Sequence, residues 1–285
     1  FASAKRISPA VKFGANVTPP KKFNPYASAA VRKGVRYEDT FRSRFWMWGH
    51  HAQAFRDTPT AKFLGGDHVD MPAACAAMGI PNVCVIRFQA LPKKPFGDYC
   101  ETLSGLDGFG WSVGDNDKGS TFAQKVEDAI DLCNMYPKLN SIWLDDWLNS
   151  ASIRRPVSEL VALKGRLAKT FQKPKLSVVF YSTEFDLDPK PVFDVCDQIS
   201  FWVWEAKDIP QMEARFRRCR ELAGPEKPIL LGLYMWNFAQ ESPMPPELMR
   251  TQLDFAGRMM KSGEVSGLIF HCTPLVDCDL EAVRM

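Results

Sequence analysis

The chain has no dominant sign of charge: 36 Lys and Arg face 33 Asp and Glu, a net of +3 over 285 residues. That balance excludes an electrostatic reader of nucleic acid, whose mark is a basic patch or stripe. No apolar run reaches the roughly 18 residues of a bilayer span, so a soluble protein without membrane partners is expected. Histidine is scarce, four in all, and the eight cysteines form neither a CxxC nor a Cys/His cluster at zinc spacing. The sequence therefore predicts no metal site and no cofactor. Cys84 sits in an apolar run, and Cys133 and Cys219 fall on apolar helix faces, so most thiols read as buried small hydrophobes. A disulfide among Cys100, Cys272 and Cys278 stays open. No GxGxxG or GxxxxGK[ST] follows any apolar run, which removes the phosphate-binding loops of nucleotide-binding sheets. A chain that starts at Phe1 is compatible with a removed signal peptide and a secreted or periplasmic location.

What is present is a regular alternation. Residues 1–43 carry Pro9, Pro19, Pro20 and Pro25 and read as an irregular arm packing on the rest. From residue 44 to 285, eight β-branched and aromatic runs begin near Phe45, Val83, Phe109, Ser141, Leu176, Ile199, Ile229 and Gly267. Their starts are 23 to 38 residues apart, close to the roughly 31 residues per unit of an eight-fold βα repeat. Helix signals lie between them. Thr121–Gln124 fits a capping box, Asp208–Gln211 fits another, Asp70 precedes a short helix to Met78, and Pro245-Pro246 opens one whose apolar side includes Phe255 and Met259. Only a stub fits between the second and third runs. The pattern predicts a single-domain α/β fold, a (β/α)8 TIM barrel; a doubly wound open sheet shares the alternation but usually brings the missing phosphate loops.

Alternation within the runs assigns faces. Ile86/Phe88, Ile142/Leu144, Phe201/Val203, Leu233/Met235 and Leu268/Phe270 form the purely apolar set expected beneath the helices. Arg87/Gln89, Trp143/Asp145, Trp202/Trp204, Tyr234/Trp236 and His271 then point inward, an aromatic and polar set suited either to stacking sugar rings or to filling the barrel. Two runs share a cadence: Ser141-Ile-Trp-Leu-Asp-Asp-Trp147 and Ser200-Phe-Trp-Val-Trp-Glu205 each end on acid beside tryptophan. The carboxyl ends of parallel barrel strands converge on one mouth. Two acids delivered there suit glycosidic cleavage, in which one carboxylate attacks or steers water and a second carboxyl protonates the leaving oxygen. Asp145 or Asp146 is read as nucleophile or base and Glu205 as general acid, with Glu184 as the runner-up acid. Asp145 alternates inward, while Asp146 is rotated toward the loop. Trp48, His50, Arg87, Gln89, Trp111, Asp115, Tyr181, Glu184, Trp204, Tyr234, Trp236 and His271, all near strand ends, are the candidates for holding a carbohydrate.

With Trp143-Leu-Asp-Asp-Trp147 after the fourth run and Trp202-Val-Trp-Glu205 after the sixth, residues 45 to about 275 resemble TIM-barrel glycoside hydrolases, most closely the α-galactosidase-like clan. That resemblance implies Asp145 or Asp146 as nucleophile and Glu205 as acid/base. The chain departs from the clan in having Glu where the sixth strand carries Asp, and the 285 residues hold no downstream β-sandwich. Nor does Asp-Asp reproduce the alternating acidic motif of chitinase-like barrels. The competing readings are a barrel that binds carbohydrate without cutting it and a metal-dependent barrel hydrolase using His50, Asp145 and His271. The second lacks the His-x-His pair of the amidohydrolase pattern.

Overall fold

A computed structural model of the protein describes residues 41–52, 54–55, 69–114, 119–150 and 155–285. Residues 1–40 of the expected arm lie outside these, as do Asp115 and most of the 51–69 loop. Phe41–Arg44 form a 3-10 turn that leads directly into the first strand.

Eight strands close into a parallel barrel: β1 (Phe45–His50), β2 (Asn82–Ile86), β3 (Gly108–Gly114), β4 (Leu139–Leu144), β5 (Lys175–Tyr181), β6 (Gln198–Trp202), β7 (Ile229–Tyr234) and β8 (Gly267–His271). Each starts within two residues of its predicted run. The ring shuts where β1 pairs with β8, setting Trp48 beside His271. Among the described residues a helix follows every strand: α1 (Met71–Met78), α2 (Phe96–Thr102), α3 (Phe122–Met135), α4 (Val157–Leu167), α5 (Lys190–Val195), α6 (Met212–Ala223), α7 (Pro246–Ser262) and α8 (Glu281–Arg284). None is long and apolar enough to cross a membrane. The (β/α)8 barrel expected from the run spacing is the observed fold.

Local chemistry explains several of these boundaries. The Asp70 side chain accepts the Ala73 amide at 2.8 Å to start α1, and Gly79 ends it in the left-handed region. At α3 the capping box is real: Thr121 and Gln124 satisfy each other's amides. The second box is not. Residues 206–211 form a 3-10 turn, α6 starts at Met212 without a side-chain cap, and Asp208 instead pairs with Arg215 at 2.9 Å. The segment read as a stub holds α2, whose Phe96 and Cys100 are buried.

The barrel interior is filled by indoles. Trp48 meets Trp143 edge-on at 5.7 Å and Trp202 at 5.4 Å, and Trp202 leans on Tyr234 at 5.2 Å. Their indole N–H groups need acceptors once buried. Trp143 donates to Ser141 at 2.9 Å and Trp202 to Ser200 at 3.0 Å, each serine two residues back on the same strand face. The repeated Ser-x-Trp cadence is thus a packing device, and Trp143 and Trp202 are barrel filling rather than sugar platforms. Space for them comes from Gly110 and Gly232, where an added Cβ would stand 2.3 Å from Trp143 and 2.0 Å from Trp202. All eight cysteines are buried thiols.

Candidate active site

β4 ends at Leu144, so Asp145 and Asp146 occupy a turn rather than consecutive strand positions. Asp146 takes a left-handed φ of 51°, which aspartate tolerates better than most residues. That twist removes the alternation that would have sent the two side chains apart, and both line one cavity. On the adjacent strand end, the Tyr181 hydroxyl donates toward Asp145 Oδ1 at 3.5 Å and Asp146 Oδ1 at 3.1 Å. Burial, reinforced by both carboxylates, raises the Tyr181 pKa well above its ordinary value, so the hydroxyl remains a donor at neutral pH.

Glu184 sits behind this wall, 1% exposed. Its Oε2 accepts the Tyr181 amide at 2.7 Å. Burial pushes its pKa up to about 7, the Tyr181 amide acts in the opposite direction, and Asp146 adds to the rise. An unfolded glutamate loses its proton near 4.5, whereas folded Glu184 keeps it to about 7. The native state therefore binds more protons between those values, and stability falls as pH rises through that window. Glu184→Gln removes the slope. Its melting temperature relative to the unaltered chain should climb between pH 5 and pH 8, by an amount reflecting on the order of 2–4 kcal/mol; a difference constant with pH would contradict this.

The opposite wall comes from the closing strands. His50 ends β1 and His271 ends β8, with ring centres 5.8 Å apart. Burial lowers the His50 pKa to about 3; it also lowers that of His271, with His50 contributing, so both rings are neutral at physiological pH. The side chains of His50, His271 and Cys272 bring three potential ligand atoms within 4.8 Å of one another. Thr273 Oγ1 accepts the His50 amide at 3.0 Å and donates to the His50 carbonyl at 2.9 Å, fastening the seam.

Between the walls lies a cavity of about 170 Å³, lined also by Trp48, Phe55, Ile86, Arg87, Phe88, Trp204 and Phe238. Trp204, 36% exposed, stacks on Phe238 with ring centres 6.1 Å apart and edges onto Tyr181 at 5.8 Å. Arg87 carries its guanidinium 4.8 Å over the Phe96 ring.

Of the residues singled out in the sequence, Asp145, Asp146, Trp48, His50, Arg87, Tyr181, Trp204 and His271 therefore share one cavity. Tyr234 is buried directly behind it, 5.1 Å from the His271 ring and 5.6 Å from Trp204. Glu205 is not among the lining residues. With Trp202 and Trp204 facing inward, the next side chain is directed away, and Glu205 instead ion-pairs with Lys207. Trp111 packs outward against Phe96 of α2, with ring centres 5.0 Å apart. Trp236 is buried in a two-residue ladder with Pro243, and Gln89 is exposed past the end of β2. Ile86 and Phe88 line the cavity instead of packing beneath helices. Both faces of β2 are buried, so polarity gave no valid guide to which parity faces inward. Phe55 and Phe238 were missed altogether, and Cys272 was weighed only as a disulfide partner. Phe238 was the most accessible of these, an aromatic two residues beyond Trp236 at the end of the seventh unit.

No protein-family model matches the chain, and no curated protein matches it. Some solved structures align with part of the chain. A provisionally named alpha-L-fucosidase from Bacteroides thetaiotaomicron VPI-5482 aligns with TM-score 0.47 and 11% identity, covering 68% of this chain and 77% of that one. A family 18 chitinase from Crocus vernus aligns with TM-score 0.47 and 10% identity over 71% of this chain and 86% of its own. A provisionally named phosphonomutase from Burkholderia cenocepacia J2315 gives TM-score 0.41 and 11% identity, over 77% and 92%. At such identities and TM-scores no residue role passes from any of the three to this chain.

Proposed function

We propose that the protein is a glycoside hydrolase acting on an oligo- or polysaccharide, with Asp145 and Asp146 as its catalytic carboxyl groups. The observation that carries this reading is the convergence of both side chains and the Tyr181 hydroxyl on one aromatic-walled cavity at the carboxyl ends of the strands. Asp146, which takes the shorter Tyr181 hydrogen bond, is held as the carboxylate and is the nucleophile; Asp145 gives the proton to the leaving oxygen. The two Oδ1 atoms stand no farther apart than the two Tyr181 hydrogen bonds laid end to end. That limit reaches only the bottom of the ~6.5–9.5 Å range for inversion and admits the ~5 Å needed for retention, so retention is the expected outcome. The cavity volume is on the scale of one sugar ring, and the exposed face of Trp204 is placed to cover it.

A screen of aryl glycosides and glycans for released reducing ends tests the activity, with the anomer followed by NMR. Tyr181→Phe keeps the ring and removes the shared donor, and kcat should fall about 10–100-fold with little change in KM. An unchanged kcat would remove Tyr181 from the mechanism. Carbohydrate binding without cleavage is the second reading, favoured by the Trp204–Phe238 stack. It predicts saturable glycan binding, lost in Trp204→Ala, and no hydrolysis of any glycan bound.

A further inference from the structure

We propose that His50, His271 and Cys272 form a binding site for one divalent transition-metal cation of the zinc class, at the seam where β8 meets β1. Their ligand atoms lie within 4.8 Å of one another. About 3.3–3.8 Å separates donors around a tetrahedral ion with the usual metal–nitrogen and metal–sulfur bonds, so side-chain rotations closing about 1 Å complete the set. His50 is 6% exposed, and its Nδ1 has no hydrogen-bond partner; His271 Nδ1 has none either. A buried ring nitrogen without a partner is costly whether it carries a proton or a lone pair, and two such rings beside one thiol call for a shared occupant.

The donor set narrows what that occupant is. Two neutral imidazoles and a sulfur suit zinc, cobalt or nickel and reject magnesium and calcium, which require oxygen. The seam holds the geometry in place: the two Thr273 hydrogen bonds lock the His50 backbone. Because both histidines line the cavity, a fourth coordination position opens toward Asp145, Asp146 and Tyr181, as in metal sites that accept water or substrate. On binding, the Cys272 thiol releases its proton to solvent and forms the metal–sulfur bond, one proton per ion.

The test uses the full chain without an affinity tag, stripped by chelator and titrated with Co²⁺. Expected are saturation at one ion per chain, a sulfur-to-cobalt charge-transfer band in the near ultraviolet, displacement by Zn²⁺, and release of one proton read by calorimetry in two buffers. Cys272→Ser, nearly isosteric, should lose the near-ultraviolet band and bind at least tenfold more weakly while keeping its circular dichroism and melting temperature. His51→Gln, outside the cluster, should bind as the unaltered chain does. Binding without the sulfur band, binding unaffected by Cys272→Ser, or no saturable binding would each overturn the site. None of these measurements involves a glycoside, so a chain that holds metal but cleaves no glycan keeps this inference and loses the hydrolase reading.

Discussion

Asp145→Asn and Asp146→Asn should each lower hydrolysis by about 10²–10⁴-fold, the usual contribution of a positioned proton donor or acceptor, with near-wild-type melting temperatures. Asparagine is the informative replacement at 146. The residue there has a φ of 51°, which Asn adopts nearly as readily as Asp, so the change removes the charge without forcing the turn out of shape. Alanine would mix lost chemistry with backbone strain. The contrast lies one strand pair away: Glu205→Gln should change kcat less than about twofold, because its carboxylate faces Lys207 rather than the cavity. Full activity in either aspartate variant, or its loss in Glu205→Gln, would overturn the assignment of roles.

Gly232→Ala should be among the most damaging single-methyl changes in the chain. The added Cβ would lie 2.0 Å from two ring atoms of Trp202. Trp202 has little room to yield, held by Trp48 at 5.4 Å, Tyr234 at 5.2 Å and His271 at 5.8 Å. Overpacking of this kind costs about 1–3 kcal/mol or more, and near the upper end it lowers the melting temperature by roughly 6–12 °C in a domain of this size. Trp202→Phe in the same chain should restore part of the loss. Gly165→Ala is the matched control: nothing stands within 4 Å of a Cβ on that helix position, and alanine there should stabilise by up to about 1 kcal/mol. A Gly232→Ala protein melting at the wild-type temperature would show that the interior is looser than its packing indicates.

The barrel was legible because its strands are long, apolar and β-branched, and because helices such as α3 and α7 carry a full apolar stripe. The helices that escaped, α2 and α5, have six or seven residues and bury two each, too few for a period to emerge. The site was legible on both walls. Asp145 and Asp146 stood out as charges ending an apolar run, and His50 and His271 as rare residues at strand ends. Glu205 misled because its run copies the Ser-x-Trp spacing, which serves the indole N–H groups and says nothing about where the following acid points. Cys272 suggested only a disulfide, since a lone cysteine after a strand carries no sign of a ligand. Its meaning comes only from a neighbour more than two hundred residues away in sequence.

That distance bears on how the protein is made. Thr273 grips the His50 backbone across a separation of 223 residues, so on the ribosome the first strand waits with one edge bare until β8 has been synthesised. The pocket needs both of these strands, and its appearance is a non-local event of assembly. A chaperone or a protease encountering the nascent chain would meet an open sheet, and the time spent in that state should be set by translation speed rather than by the stability of the finished ring.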